Sequence, residues 1–456
     1  MSLIEIARKT VEKAEKLGAR QAEVTVATAN SALTRYTHNA IHQNVAWDNY
    51  TINLEVVVEK NKLGTTTIKS LEESSIDKAL ETALKIARVS TPDPDFISYA
   101  EPKLIENLPE IYVKKTANVT PEDRVQAVQT LIQIALQYDN RVTWSVGAYQ
   151  VDDISYAIAN SLGVGAATNY TRASVDITTK AGDDSVQGSG YRSSRSLDVS
   201  EFNFEDMANG AAKDAVKGIK PQTIPIGEYE AILTPAAVST FTGNIGRLGF
   251  SARAYQDGYS FITDKIGSQV FDEKLTIVDK GRSLETYSAL PFDGDGTPKG
   301  TLSLVKNGVA ENLCYDNYTA LKDGTDSTGH ASLKSRGGFF RGYPSASNMI
   351  MTPGNASMDE LVKETKRGVL ITRLHYVNPI RRDKAVISGL TRDACWLIEN
   401  GEIIHPIKVM RFTDSVPRVM SAIDIIGGKS TVQKLPGGTV PAIKVAGFKF
   451  TGQSEF

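Results

Sequence analysis

The order of helical and strand-like runs in the first half of the chain constrains its fold most. Apolar residues at helical spacing over 3–17 are followed by strand-like runs and a second helical run at 76–89. Thr120-Pro121 then opens the same order again, which ends with a helix at about 204–217. Helices that bracket strands in this way predict an antiparallel sheet. We therefore expect an α+β domain over residues 1–222, with two halves of similar element order. Its strand-like runs are residues 22–28, 50–59, 64–70, 141–150, 153–160, 165–180 and 184–192.

Short strand-like runs separated by turns fill the second half. Asn307-Gly308 and Asn400-Gly401 are two-residue hairpin signals, because both positions of such a turn need positive φ. Many short strands joined by turns are typical of sandwiches and barrels. We expect a strand-rich, sandwich-like or barrel-like C-terminal domain over residues 223–456. Its strand-like runs are residues 227–233, 275–279, 300–306, 309–313, 348–351, 369–376, 384–389, 394–399 and 402–410, and its helical runs are residues 235–248, 358–365 and 417–423.

Charge and cysteine content bound the function and the compartment. The chain has 51 Lys and Arg residues against 53 Asp and Glu residues, so its charge does not attract it to nucleic acid or to an anionic membrane. Its apolar runs are shorter than the ~20 residues of a membrane span, and the N-terminal helix lacks the apolar block of a secretory signal. Cys314 and Cys395 are too few for a disulfide framework, and we expect both to be buried. These features predict a cytoplasmic protein without membrane or direct nucleic-acid contacts.

Three local motifs have both a structural and a binding interpretation. His38 and His42 lie between strand-like runs and are four residues apart. On an extended strand this spacing places the two side chains ~13 Å apart, so surface histidines are favoured over a metal pair. The segment 292–296 (FDGDG) has too few carboxylates for a calcium loop, which favours a turn. The Arg-Gly segments at 336–338 and 341–344 could hold a carboxylate or a phosphate, but no nucleotide-binding GxxxxGK[ST] accompanies them.

The sequence contains no familiar hydrolase motif. Neither HExxH nor HExxxH occurs, although zinc hydrolysis needs three protein ligands and usually a carboxylate base. No GxSxG nucleophile elbow is present either. His330, His375 and His405 are far apart in sequence, so they form a site only if the fold brings them together, with Asp257 or Asp293 beside them.

Short motifs in a fixed order, spread over most of the chain, resemble the TldD/PmbA family, once described as modulators of DNA gyrase. Each motif is weak alone, and their order and coverage carry the resemblance. They are residues 35–43 with the helix at 76–89, 159–163 (ANSLG), 258–261 (GYSF), 265–270 (KIGSQV), 292–296 (FDGDG), 304–309 (LVKNGV), 328–331 (TGHA), 348, 368–372 and 396–403 (WLIENGEI).

The family that this sequence resembles has two kinds of subunit. The TldD type carries HExxxH on the helix before the Ser-Phe segment, has a downstream cysteine ligand, and is a zinc peptidase. The PmbA type, also called TldE, lacks the motif and pairs with TldD. In this sequence the motif would fall on residues 243–248 (GNIGRL) and the cysteine near 375–378. Neither the two histidines and the glutamate nor the cysteine is present there.

The resemblance therefore implies a PmbA/TldE-like subunit of a metallopeptidase-related family. It implies no catalytic, cofactor-binding or metal-binding residue in this chain, with zinc expected only in a TldD-like partner. It also implies a heterodimer with that peptidase and a role in processing unfolded or extended peptides, which add to a sheet edge through backbone hydrogen bonds. Two alternatives stay open. One is a self-sufficient metal-dependent peptidase with a non-standard site, and the other is a non-enzymatic, homodimeric peptide-binding protein.

Overall fold

A computed structural model describes residues 1–183, 187–334 and 343–453 of the chain. Its helices are α1 (Leu3–Lys16), α2 (Glu73–Val89), α3 (Lys114–Ala117), α4 (Pro121–Tyr138), α5 (Phe204–Lys217), α6 (Pro235–Leu248), α7 (Ala252–Gln256), α8 (Asn317–Lys322), α9 (Met358–Lys363) and α10 (Val416–Met420). Its strands are β1 (Gln21–Thr37), β2 (Ala40–Val58), β3 (Lys62–Ile68), β4 (Val142–Asn160), β5 (Gly165–Ala181), β6 (Gly188–Ser196), β7 (Gly227–Leu233), β8 (Ile277–Lys280), β9 (Thr301–Lys306), β10 (Val309–Ala310), β11 (Met349–Met351), β12 (Arg367–Ile371), β13 (Arg373–Arg381), β14 (Val386–Arg392), β15 (Cys395–Glu399), β16 (Glu402–Ile407), β17 (Met410–Ser415), β18 (Ile423–Ile426), β19 (Gln433–Leu435), β20 (Gly438–Val440) and β21 (Ile443–Gln453).

The first six strands form one antiparallel sheet, in the order β3-β2-β1-β4-β5-β6. The chain builds an α-β-β-β-α unit twice, and the first strands of the two units, β1 and β4, pair at the centre of the sheet. α1 and α2 pack on the half of the sheet that contains β1 and β2, and α4 and α5 pack mainly on the half that contains β4 and β5. The arrangement confirms the α+β fold, the antiparallel sheet and the repeated order of elements.

The predicted start of α4 is confirmed by its capping contacts. Thr120 Oγ1 accepts the Asp123 N–H at 3.1 Å, and the Asp123 carboxylate accepts the Thr120 N–H at 2.9 Å. This capping box, together with Pro121 at the first helical position, leaves few N–H groups of the first turn without a partner. Among all the helices of the described residues, none has the length and the apolar character needed to cross a membrane.

The C-terminal strands form two further sheets. One has nine strands, in the order β13-β14-β17-β21-β7-β12-β15-β16 with β18 beside β21, and curls into a half-barrel. The other has six strands, in the order β10-β9-β8-β11-β20-β19. α6 packs with both sheets in one core, to which Phe241, Met349 and Phe448 contribute. The strand-rich, barrel-like expectation is therefore confirmed, whereas a domain boundary between residues 222 and 223 stays a prediction.

The first hairpin is longer than the sequence pattern indicates. The pattern predicts strands at 22–28 and 50–59, whereas β1 and β2 continue to a turn at His38-Asn39 and pair along their length. The distal part of β2 is mostly exposed, and Gln43 interrupts the alternation of Ile41, Val45 and Trp47, so the apolar pattern is too weak to reveal a strand. The runs predicted at 141–150 and 153–160 are likewise one strand, β4, which supports the distal hairpin by pairing with β1.

Candidate functional site

A cleft separates the face of the N-terminal sheet opposite its helices from loops of the C-terminal part. Its volume is about 650 Å³, within the roughly 300–1,000 Å³ that ligand sites occupy. Strands β1, β2, β4 and β5 form one wall, and loops within residues 287–299, 330–333 and 345–347 form the other. The motifs at 292–296 and 328–331 contribute residues to this second wall, so the cleft is the candidate functional site.

A row of cross-strand partners forms the centre of the sheet wall. Trp47, Ser31, Asp152 and Arg172 follow one another across β2, β1, β4 and β5, and all of them line the cleft. Partners in neighbouring strands point to the same face of a sheet. The row presents one aromatic ring, one hydroxyl and one charge of each sign, so this wall can bind both apolar and polar groups.

Asp293 organises the opposite wall. One carboxylate oxygen accepts the N–H groups of Asp295 and Thr297 at 3.0 and 2.9 Å, and the other accepts the Ala331 N–H at 2.8 Å. The carboxylate is buried, and burial raises its pKa. Its hydrogen bonds close the 292–296 segment on itself and tie it to the loop of His330. The predicted turn is therefore confirmed.

His330 lies at the base of the cleft and is almost fully buried. Its Nδ1 is 2.9 Å from Thr328 Oγ1, and its Nε2 is 3.5 Å from Asp279 Oδ1. The second Asp279 oxygen accepts the Asn348 N–H at 2.8 Å. Burial opposes the charge of Asp279, but the neighbouring His330 and Lys299 outweigh it and hold the pKa of that carboxyl below its usual value. His330 Nε2 and Asp279 Oδ1 are both buried and make no hydrogen bond to the described residues, so the two side chains are close neighbours without a bond between them.

The fold does not bring the three C-terminal histidines together. His375 lies on β13 and His405 on β16, the two ends of the strand order in the nine-stranded sheet, while His330 lies in the cleft. Asp257 forms an ion pair with Arg253 at 2.7 Å. No group of three His, Cys, Asp or Glu side chains placed to hold a metal ion occurs in residues 1–183, 187–334 and 343–453. A non-standard metal site at these histidines has no support from the geometry.

The remaining motif residues have structural environments. His38 stacks on Trp144 with ring centroids 4.7 Å apart, and His42 is exposed on β2, as expected for surface histidines. Cys314 and Cys395 are free and buried, as predicted, and burial raises the pKa of both thiols, to about 11 for Cys395. Most of the two Arg-Gly segments, residues 335–342, lies outside the described residues.

The last turns of α6, where the resemblance would place a zinc motif, are packed and hydrogen-bonded. A Cβ on Gly246 would lie 3.1 Å from Met349 Cε and 3.3 Å from Ala346 Cβ. Asn244 Nδ2 donates to the Thr240 carbonyl at 2.8 Å, and Asn244 Oδ1 accepts from Arg247 at 3.1 Å. The turn therefore offers no imidazole, thiolate or carboxylate, and its one amide oxygen is already bonded. These residues do not fit a zinc ion.

Substitutions of two glycines in this turn, Gly246 and Gly243, should have opposite effects on the stability of the protein. We expect Gly246→Leu to destabilise the protein by about 1–3 kcal/mol, because the new side chain overpacks a filled site. Gly243→Ala is the matched control, since its Cβ would lie 3.6 Å from Gly437 Cα, an ordinary contact, and alanine favours a helix by up to about 1 kcal/mol. Urea unfolding of both variants measures the difference. Equal stability of the two would contradict the packing described for this turn.

Arg172, Asp279 and Lys299 belong to the candidate site but carry no motif that would single them out in the sequence. Each of them is isolated in its own segment, and each is buried in the structure. A charged residue on an alternating strand is normally exposed. The one sequence signal for Arg172 is its position inside the strand-like run 165–180. In the structure, its neighbours Tyr170, Thr171 and Ala173 are buried as well.

Two family models match the chain. They are described as the PmbA/TldA metallopeptidase central domain, over residues 114–219, and the PmbA/TldA metallopeptidase C-terminal domain, over residues 226–452. Similar relatives include the metalloprotease PmbA of Escherichia coli O157:H7, which is 23% identical over 98% of both chains. The metalloprotease PmbA homolog of Haemophilus influenzae is 26% identical over 93% of this chain and 91% of its own length.

Solved structures share the fold over nearly the whole chain. TldE from Thermococcus kodakarensis superposes with a TM-score of 0.87 at 20% identity, over 98% of this chain and 100% of its own. A candidate modulator of a DNA gyrase from Thermotoga maritima MSB8 superposes with a TM-score of 0.86 at 22% identity, over 99% and 100% of the two chains. Because models of one family match both the 114–219 and the 226–452 segments, and relatives and folds agree over the full length, the chain belongs to the PmbA/TldD family.

Proposed function

We propose that this chain is a PmbA/TldE-type subunit without a zinc site of its own. It acts with a TldD-like zinc metallopeptidase in degrading or processing unfolded or extended peptides. The observation that carries the proposal is the GNIGRL turn of α6. The chain belongs to a metallopeptidase-related family, yet this turn is packed against Ala346 and Met349 and supplies no zinc ligand. The fold shared with a protein named TldE supports the same assignment.

An edge of the nine-stranded sheet supports the binding of an extended peptide. β16 ends the strand order, and its Ile403 and Ile404 are each 49% exposed. A second cleft of about 830 Å³ lies beside them and is also lined by Trp396 and His405. Gln222 already adds to the end of this edge, because its N–H donates to the Pro406 carbonyl at 2.9 Å. A further extended segment can use the remaining backbone groups in the same way.

The test is reconstitution with a TldD-like peptidase. We expect the isolated chain to retain no zinc and to cleave no peptide, and we expect its addition to the peptidase to give a larger complex with faster hydrolysis of an unfolded substrate. A chelator should abolish that hydrolysis. The control is the same mixture with the HExxxH glutamate of the peptidase replaced by glutamine. Stoichiometric zinc and chelator-sensitive cleavage in the isolated chain would contradict the proposal, and a homodimer indifferent to the peptidase would favour a binding protein.

The proposal includes the organisation and the compartment of the chain. We propose domains at residues 1–222 and 223–456. The boundary falls between α5, the last helix on the N-terminal sheet, and β7, the first strand of the C-terminal sheets. We also propose a cytoplasmic location, where the buried free thiols of Cys314 and Cys395 stay reduced.

A further inference from the structure

Arg172 is a buried cation that faces the cleft between the N-terminal sheet and the C-terminal loops. Its exposed fraction is 8%. Nη1 donates to the Thr171 carbonyl at 3.0 Å, and the guanidinium lies 4.6 Å from the ring centroid of Tyr170 and 5.1 Å from that of Tyr287. The guanidinium therefore lies against two aromatic rings, and one of its nitrogens is bonded to a carbonyl. Its Nε and Nη2 make no hydrogen bond to the described residues.

The carboxylate nearest in register, Asp152, attracts this cation but forms no ion pair with it. Asp152 is the cross-strand partner of Arg172, but both of its oxygens accept from Gln150 Nε2 at 3.0 Å. No ion pair joins Arg172 to an acidic residue within residues 1–183, 187–334 and 343–453. Burial lowers the pKa of Arg172, which reflects the cost of a charge removed from water. A buried charge is normally paired, but among the described residues this arginine has no ion-pair partner.

A second buried cation lines the same cleft. Lys299 is 7% exposed, and its Nζ lies 3.4 Å from Ser347 Oγ and 3.5 Å from the Gly329 carbonyl. Lys69 adds a third positive charge on the sheet side. The lining carboxylates are Asp152 and Asp293, and the three backbone N–H groups described above already occupy the latter. Three cations thus line the cleft against two carboxylates, with Asp279 as a further carboxylate beside Lys299.

We propose that this cleft binds the free carboxylate of a peptide C-terminus, with Arg172 as its bidentate partner and Lys299 as a second positive charge. The Nε and Nη2 groups of a guanidinium form two parallel donors that match the two oxygens of a carboxylate. The two lining aspartates oppose a dianion more than a monoanion, which favours a carboxylate over a phosphate. Trp47, Tyr170 and Phe292 supply apolar surface for the last side chains of the peptide.

The choice of a peptide as the carrier of the carboxylate rests on the proposed function. The unpaired guanidinium itself does not depend on it. In that setting, the cleft holds the end of a product or substrate chain, and the site selects peptides with a free C-terminus over internal segments. The site is distinct from the β16 edge, because none of its lining residues lies on that strand.

The experiment compares one fluorescent peptide in two forms, with a free carboxylate and with a C-terminal amide, by anisotropy on the full-length chain. We expect the free acid to bind at least tenfold more tightly, the gain of a charge-assisted hydrogen-bond pair. Arg172→Gln should remove that preference and leave amide binding unchanged, and Arg172→Lys should restore part of it, since lysine offers charge without the fork. Arg141→Gln is the control, because Arg141 is a surface residue paired with Asp139 at 2.7 Å.

Equal binding of the acid and the amide to the unmodified chain would overturn the proposal, and this comparison needs no variant to fold. An Arg172→Gln chain that melts like the parent and still prefers the acid would also overturn it. Inorganic phosphate that displaces the peptide more strongly than acetate would do so as well, by identifying a phosphate site. A chain that prefers the free acid but forms no complex with a TldD-like peptidase would keep the carboxylate site and remove the proposed function.

Discussion

Replacing Lys334 with methionine is expected to destabilise the protein by about 3–5 kcal/mol, because it leaves a buried carboxylate unpaired. Lys334 Nζ forms an ion pair with Glu23 on β1, whose side chain is 2% exposed, and lies 3.8 Å from Asp295. Burial opposes the lysine charge, but Glu23 and Asp295 outweigh it and raise the pKa of Lys334. Since this pKa lies above the unfolded value of about 10.4, the contribution is present at neutral pH and is lost only as the pH rises above that value.

A surface pair between the same two parts of the chain provides the control. Lys322 on α8 pairs with Asp95, and their side chains are 32% and 40% exposed. Lys322→Met should cost at most about 1 kcal/mol, because solvent screens an exposed pair. Replacing Glu23 with glutamine in the Lys334→Met chain should recover part of the loss, since the carboxylate closest to Lys334 then carries no charge. Urea midpoints measure all three variants, and equal losses for the two lysines would contradict the role of burial.

Asp293→Ala is expected to cost roughly 3–6 kcal/mol, because it leaves three buried N–H groups without an acceptor. These are the N–H groups of Asp295, Thr297 and Ala331. Asp293→Asn should cost less. Its remaining oxygen can still accept from the turn, but its new N–H group faces the N–H of Ala331. We expect the order of stability parent, asparagine, alanine in urea unfolding.

Asp326→Ala is the control for this series, since the Asp326 side chain is 97% exposed and pairs with Lys103 at 3.7 Å. Its effect should stay within about 0.5 kcal/mol. If Asp293→Ala is as stable as Asp326→Ala, the hydrogen bonds of Asp293 do not hold the turn. A large loss for alanine together with none for asparagine would place the effect at Asp295 and Thr297 alone.

The sequence predicts elements well where local signals agree. Residues 204–217 and 235–248 are helices with the predicted bounds, because each has a start signal and a continuous apolar face. The last predicted strand ends at residue 410, yet β21 (Ile443–Gln453) lies in the middle of the nine-stranded sheet. Its register with β7 shifts between Val445 and Phe448, next to Gly447, and this irregularity breaks the alternation that marks a strand.

The candidate site is less accessible to sequence reasoning than the fold. Arg172, Lys299 and His330 come from a strand, a loop and a second loop that are distant along the chain, and they share a cleft only in the folded protein. No spacing rule relates them. Conversely, the sequence leaves His375 and His405 open as partners of His330, but the order of the strands separates them. Which charges lack a counterion depends on tertiary burial, which a single sequence does not record.

The mirrored order β3-β2-β1-β4-β5-β6 has an evolutionary consequence. Tandem duplication and fusion of one short α-β-β-β-α gene product would yield this order, with the β1–β4 seam descending from the contact between two identical ancestors. The two halves of the present sheet differ in their cleft-facing residues. The half that contains β5 has Arg172, and the half that contains β2 has Trp47. The sheet face of such a symmetrical ancestor would look the same from both ends, whereas the present sheet wall of the cleft differs between its two halves. A ligand whose two ends differ, such as the end of a polypeptide, can bind to this wall in one orientation.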